Sequence, residues 1–234
     1  METNKLLDQL RGGMIVSCQA EGEDPFNADP AYMALFARAA EMGGAIGIRT
    51  QGVAQVEAIK RATSLPVIGL LKSQFEDGTV RITGSFAEVE QLIRAGSDIV
   101  AIDGTFRQRE GLSGPAFIRA VKQRFGCPVI ADIATCAEAK ACEAAGADCV
   151  SPTLNGYTPD TLQFTGGPNF DVLKECIDSL SIPVVAEGRY NTPADAGKAI
   201  SLGAFAVVSG TAITRPRVIT QWYVAEIKKA LNNQ

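Results

Sequence analysis

Apolar residues in this chain gather into short runs led by proline or glycine, and between the runs they recur at helical spacing. Three runs are proline-led: Pro66-Val67-Ile68, Pro128-Val129-Ile130 and Pro183-Val184-Val185. Others are glycine-led: Ala95-Gly96-Ser97-Asp98-Ile99-Val100, Ala145-Gly146-Ala147-Asp148-Cys149-Val150, Leu202-Gly203-Ala204-Phe205-Ala206-Val207 and, more loosely, Met42-Gly43-Gly44-Ala45-Ile46. The two kinds alternate, so the chain carries an internal repeat of strand pairs. Proline is tolerated at a strand's first residue, where its missing N–H costs no ladder bond. Glycine just after a helix takes the left-handed conformation that ends it. Runs apolar on both faces suit the strands of a buried parallel sheet.

The pattern predicts about eight strands, at 14–19, 45–49, 67–72, 98–103, 128–133, 148–152, 183–187 and 205–209. Helical segments follow them, among them 30–42, 86–95, 115–125, 136–145 and 216–231, with Pro115 and Pro193 placed for a first helical turn. Eight such units over residues 1–234 fit one α/β domain, a (β/α)8 TIM barrel. An open doubly wound sheet is the alternative, but its edge strands should read differently from the rest, and these units are alike.

The last residues of the predicted strands are Gln19, Arg49, Lys72, Asp103, Asp132, Ser151, Glu187 and Ser209. In a barrel they form a ring at the mouth where chemistry occurs. A single strand-end aspartate is readily explained as a loop cap. A ring of converging charges is harder to explain structurally, because buried charges cost stability unless pairing or a task holds them. Lys72 is a candidate base or Schiff-base lysine. Its structural alternative is an ion pair with a carboxylate, and for Glu187 it is a salt bridge to Arg189 or Arg215.

The last two strands lead into AEGRYNTP (186–193) and VVSGTAITRP (207–216). Gly188 and Gly210 there, with Thr192 and Thr211 nearby, let backbone N–H groups approach a phosphate closely, and Arg189 and Arg215 add charge. Barrels often bind phosphate at these two loops. Long loops at 20–29, 73–84 and 152–169 follow strand ends and read either as covers for a substrate or as surface insertions.

Composition narrows the chemistry. The chain has no histidine, which removes the Ser-His-Asp triad and the Cys-His dyad. Acid–base work must fall to carboxylates, lysine, tyrosine or cysteine. The six cysteines make no C-x-x-C pair and are expected to be reduced core residues, so neither metal nor cofactor is expected. A net charge of −4 gives no broad basic surface for nucleic acid or anionic lipid. No apolar run reaches the roughly 18 residues of a membrane span, and METNKLLDQLRGG carries charge where a signal peptide is apolar. A cytoplasmic location is expected. Trp222 and Tyr223 fit either core or interface, which leaves a homodimer open.

Several segments together resemble the N-acetylmannosamine-6-phosphate 2-epimerase family: GGMIVSCQA (12–20), GAIGIRT (44–50), PVIGLLK (66–72), DIVAIDGTFRQR (98–109), ADIAT (131–135), SPTLNGYTP (151–159), VVAEGRYNTP (184–193) and VSGTAITRP (208–216). The resemblance runs from about residue 10 to 225 in the family's order. It implies a cytoplasmic barrel enzyme that interconverts N-acetylmannosamine 6-phosphate and N-acetylglucosamine 6-phosphate in sialic acid breakdown. It also implies a proton-transfer pair at Lys72 and Glu187, substrate-orienting residues at Gln19, Arg49 and Asp132, and a phosphate-side arginine at Arg215. A Schiff-base aldolase or lyase using Lys72, and a non-catalytic phosphosugar sensor, are the alternatives.

Overall fold

The computed structural model describes residues 2–20, 22–76 and 79–232; Glu21 of the 20–29 loop and Asp77 and Gly78 of the 73–84 loop lie outside the described residues. The strands in chain order are β1 (Met14–Cys18), β2 (Gly47–Gln51), β3 (Val67–Leu70), β4 (Lys72–Gln74), β5 (Val80–Ile82), β6 (Ile99–Asp103), β7 (Val129–Asp132), β8 (Cys149–Ser151), β9 (Val185–Ala186) and β10 (Ala206–Ser209). Eight of them form one parallel sheet in the order β8-β7-β6-β3-β2-β1-β10-β9. A parallel bridge between Val150 and Val184 joins its two ends, with Val150 N–H donating to the Pro183 carbonyl at 3.1 Å. The predicted (β/α)8 barrel is therefore the observed fold, and the open sheet is not.

The remaining strands, β4 and β5, form a separate antiparallel hairpin with Lys72 opposite Ile82. Two expectations change here. The third barrel strand stops at Leu70 rather than at residue 72, and the 73–84 segment is largely a hairpin rather than a loop. The polar sequence Lys72-Ser73-Gln74 gives the sheet nothing to bury, so the chain turns out of the barrel and pairs with its own return.

Other boundaries shift by one or two residues, with local causes. Asp98 and Asp148, read as strand openers, sit at the foot of the barrel. The carboxylate of Asp98 accepts from Val67 N–H at 2.8 Å and Lys60 Nζ at 2.7 Å. Asp148 does the same with Val129 N–H at 2.7 Å and Lys122 Nζ at 2.6 Å. The aspartate of the Ala-Gly-X-Asp repeat thus ties each strand to the one before it. The glycine ahead of it ends the helix with a positive φ, 95° at Gly96 and 94° at Gly146. Two helices, Phe86–Arg94 and Cys136–Ala144, open with full capping boxes, Ser85 with Glu88 and Thr135 with Glu138. Each Ser or Thr cap is worth about 1 kcal/mol.

Side chains alternate along each strand between two cores. Ile15, Ile68, Leu70, Ile99, Ala101, Ile130, Cys149, Val185 and Val208 fill the cylinder, and Leu7 and Leu10 pack with them. Val16, Ile48, Val67, Val100, Ile102, Val129, Val150 and Val207 pack against the helices. Continuing the inward alternation past the apolar core reaches Gln19, Arg49, Lys72, Asp103, Asp132, Ser151 and Glu187. Ser209 falls on the other parity. Burying both faces of every strand is the dominant stabilising contribution in such a fold.

One helix departs from this layering. Pro216–Asn232 has no buried residue and leaves Tyr223, Ile227 and Leu231 exposed. Among the described residues no helix is long and apolar enough to cross a membrane.

Candidate active site

A cavity of about 720 Å³ opens at the C-terminal ends of the barrel strands. Ten of the fourteen strand-end and loop residues singled out from sequence line it: Gln19, Arg49, Lys72, Glu187, Gly188, Arg189, Ser209, Gly210, Thr211 and Arg215. Asp103, Asp132, Ser151 and Thr192 do not, and Asp132 is the one expected to touch substrate. It lies beneath the cavity with no exposed surface and reaches it through Arg49 and Thr153.

The floor is a charge cluster centred on Arg49, itself 1% exposed. Its Nη1 and Nη2 donate to the two Asp132 oxygens at 3.2 and 2.5 Å. Its Nε lies 3.2 Å from Glu187 Oε1, an ion pair without hydrogen-bond alignment. The salt bridge that Glu187 makes is thus to Arg49, not to Arg189 or Arg215. Burial works against the Arg49 charge, but Asp132 and Glu187 outweigh it and hold the guanidinium firmly protonated. Burial also raises Asp132 above the ordinary carboxylate value, and Arg49 opposes that rise.

Glu187 receives what Asp132 leaves. One cation serves two carboxylates, and Glu187 Oε2 is buried without a hydrogen-bond partner. Desolvation, reinforced by the Asp132 charge and opposed by Arg49, pushes its pKa up to about 7. Lys72 moves the other way. The residue is exposed at the cavity, yet protein crowds part of its side chain. This burial, together with repulsion from Arg215, lowers its pKa to about 8, against the pull of Glu187. Lys72 follows β3 and Glu187 follows β9, with three strands between them in either direction round the barrel, so they approach one space from opposite walls. Two titratable groups drawn toward neutrality in one cleft make a candidate acid–base pair.

The loops after β9 and β10 form another wall. Gly188 has φ 110° and Arg189 φ 62°, two successive left-handed residues that only a demanding local geometry retains. Gly210 packs so closely on β1 that an added Cβ would stand 3.1 Å from Ser17 Cβ. Arg215 anchors its Nε on the Gln19 carbonyl at 3.3 Å, and burial lowers its pKa. Gln19 in turn donates to Ser17 Oγ at 2.8 Å. The Arg189 guanidinium is committed to the 152–169 loop. It lies 4.7 Å from the Tyr157 ring centroid and donates to the Asn155 carbonyl at 3.2 Å. Thr192 caps the Pro193–Ser201 helix and does not line the cavity.

Of the three long loops, 152–169 contributes Thr153, Leu154 and Tyr157 to the cavity, the hairpin contributes Thr79, Val80 and Ile82, and none of the described residues of 20–29 lines it. Asp103, also in the strand-end ring, acts as a loop cap. It accepts from Thr105 N–H at 3.0 Å and pairs with Arg107 and Arg109. Ser151 stays buried behind Thr153.

Sequence reasoning missed Ser17, Thr153 and Arg107. Ser17 and Thr153 fall two residues from Gln19 and Ser151 in the same inward alternation, which would have found them. Nothing in the pattern marks Arg107. The cysteines offer no competing chemistry: burial pushes the thiols of Cys18 and Cys142 up to about 12.

The chain is similar to known proteins over most of its length. A family model described as "Putative N-acetylmannosamine-6-phosphate epimerase" matches residues 33–229. A "Putative N-acetylmannosamine-6-phosphate 2-epimerase" of Clostridioides difficile is 42% identical over 224 residues, covering 95% of this chain and 99% of that protein. A "Bifunctional enzyme NanE/NanK" of Brucella melitensis is 44% identical over 226 residues, 97% of this chain and 43% of that protein. The solved N-acetylmannosamine-6-phosphate 2-epimerase of Clostridium perfringens superposes with a TM-score of 0.88 at 39% identity, covering 94% of this chain and 95% of that one. The thiamine phosphate pyrophosphorylase of Pyrococcus furiosus, at 16% identity and a TM-score of 0.60, shares the fold alone. The chain belongs to the N-acetylmannosamine-6-phosphate epimerase family.

Proposed function

We propose that this chain is the carbohydrate epimerase that interconverts N-acetylmannosamine 6-phosphate and N-acetylglucosamine 6-phosphate, a step in sialic acid and amino sugar breakdown. The observation that carries the reading is the pairing of Lys72 and Glu187 on opposite walls of one cavity, their pKa values drawn to about 8 and about 7. In the open-chain sugar the C2 hydrogen is acidified by the C1 aldehyde. One residue removes it, and the other returns a proton to the opposite face, so that C2 inverts. In the reverse direction the two exchange roles. The fixed charge of Arg49 beneath them favours the negative charge that develops on the enolate. Asp132 supports that charge by orienting Arg49, and Gln19 presents its amide to the sugar. Gly188, Gly210, Thr211 and Arg215 take the phosphate, with Arg189 shaping the loop beside them. Their binding energy is gained away from the reacting carbon.

The reading takes the whole chain as one barrel domain acting in the cytoplasm on a small phosphorylated sugar, with no nucleic acid partner. It also takes the working form as a homodimer. The Pro216–Asn232 helix turns Tyr223, Ile227 and Leu231 to water, and Trp222 of the same helix stands at the cavity mouth. An apolar face of this kind is what a second copy would cover.

Proton NMR of N-acetylmannosamine 6-phosphate with the protein in deuterated buffer tests the function directly. Deuterium at C2 of the product is expected. A product formed without it, or cleavage between carbons, overturns the proton-transfer route.

A further inference from the structure

One of the two proposed proton-transfer residues is not carried by a barrel strand. Lys72 opens β4, and β4 and β5 are three residues each. A two-stranded ribbon this short is marginal by itself. At its base it is tied to the end of β3 by Thr83 N–H donating to the Leu71 carbonyl at 2.7 Å and Leu71 N–H donating to Thr83 Oγ1 at 3.2 Å. Beside it the Ser73 hydroxyl, next to Lys72, donates to the Glu88 carboxylate at 2.6 Å, so the base of the ribbon is held on two sides.

A third attachment, to the return strand, lies across the cavity rim. Arg107 follows β6, the neighbour of β3 in the barrel, and lines the cavity. Its Nη1 donates to the Val80 carbonyl of β5 at 3.3 Å, its Nε to Thr105 Oγ1 at 3.0 Å, and its Nη2 to Asp103 Oδ2 at 2.5 Å. Asp103 is fully buried at the end of β6, and Arg109 and Thr105 hold its other oxygen at 3.0 and 2.6 Å. The guanidinium therefore spans from a rigid anion of the barrel wall to the return strand of the hairpin.

We propose that Arg107 is a positioning residue for the proton transfer: it fastens the hairpin to the end of β6 and so fixes Lys72 in the cavity. The inference rests on the reading of Lys72 as a proton-transfer group. An arginine suits the task because its planar fork reaches three acceptors at once, which a lysine does not. A return strand no longer braced would shift Ile82, the residue opposite Lys72, and with it the crowding and the approach to Arg215 that set the lysine's proton affinity, and a displacement of about 1 Å at a reacting group costs on the order of 100-fold in rate.

The test compares Arg107→Ala and Arg107→Lys with the unaltered protein and with Lys72→Ala. For Arg107→Ala, turnover is expected to fall by about 10- to 100-fold with substrate affinity within about threefold, since binding is assigned to other groups. The alkaline limb of its pH–rate profile should move toward the ordinary lysine value near 10.4. Added guanidinium ion should restore part of the rate, and Arg107→Lys should not recover it. Unchanged turnover and pH profile in a folded Arg107→Ala, with Lys72→Ala inactive, would overturn the positioning role and leave the Lys72 reading standing. Loss of substrate affinity at constant turnover would make Arg107 a substrate contact and also overturn it. Full activity in Lys72→Ala would instead remove the reading on which the inference rests. If Arg107→Ala does not fold, the guanidinium arm is replaced by Arg107→Gln, which keeps a donor for Val80 and is judged on the same pH limb.

Discussion

Arg49 and Asp132, 83 residues apart in the chain, meet as a two-pronged pair at the base of the cavity, with neither side chain more than 1% exposed. The pair fixes the position of the cation that, among the described residues, Glu187 contacts at ion-pair distance. Removing Asp132 takes away the two-pronged partner of the buried guanidinium and leaves it only the unaligned ion pair with Glu187. Asp132→Ala should therefore lower stability by about 3–5 kcal/mol, read from denaturant midpoints. Replacing both residues with apolar ones, Arg49→Met with Asp132→Leu, should restore most of that stability and none of the activity. Equal loss in the single and double variants would show that the pair is not the source of the effect.

Lys72→Ala and Glu187→Ala should each reduce turnover by about 10²- to 10⁴-fold, the usual contribution of a positioned acid or base. Calorimetric affinity for the phosphorylated sugar should persist, because the phosphate loops are untouched. Borohydride added with substrate should leave no adduct on Lys72. A stable adduct would move the chemistry to a Schiff base.

The two perturbed groups set the pH dependence. With Glu187 near 7 and Lys72 near 8, the state with one carboxylate and one ammonium is most populated between those values. The opposite arrangement, carboxylic acid with free amine, holds the same number of protons and so peaks in the same window. Turnover should be bell-shaped with its maximum between pH 7 and 8, whichever residue is the base. Arg215→Ala should shift the alkaline limb upward, because Arg215 repels the Lys72 charge. A profile flat from pH 6 to 10 would contradict the pairing; those bounds are set about one unit or more outside both values.

Phosphate recognition is assigned to the last two loops. Removing the guanidinium in Arg215→Ala should raise KM by about 10- to 100-fold, the range for a hydrogen bond to a charged group. Gly188 sits at φ 110°, so Gly188→Ala forces an ordinary residue into the left-handed region and should both destabilise the loop and weaken inhibition by inorganic phosphate. Inhibition unchanged in both variants would place the phosphate elsewhere.

Light scattering should give a particle of about twice 24.7 kDa. Ile227→Glu, on the exposed face of the Pro216–Asn232 helix, should reduce it to a monomer. A monomeric unaltered protein would remove the dimer from the reading.

Much of this was legible in the chain because the barrel repeats one solution. Glycine ends a helix, an apolar run follows, and the run's inward parity delivers a polar residue to the mouth. That logic placed Arg49, Lys72 and Glu187 in one cleft without coordinates. It did not separate the residue facing the cavity from the one bracing it, so Asp132 and Asp103 read like Arg49. Burial, which decides that difference, depends on what lies above each strand end. It also missed the hairpin, since three polar residues after Leu70 carry no period long enough to read. Arg107 escaped because its position is set by two partners, Val80 and Asp103, that are far from each other in sequence.

The cylinder is stitched shut at one place, the Val150–Val184 bridge, where the strands are short and share a single ladder contact. Thr153 stands just beyond one side of that stitch and Glu187 and Gly188 just beyond the other. A sugar phosphate gripped by both sides would lie across the weakest join of the wall and act as its clasp. Occupancy should then slow amide exchange along β8 and β9 more than along β2 and β3, so that the ligand completes the architecture that recognises it.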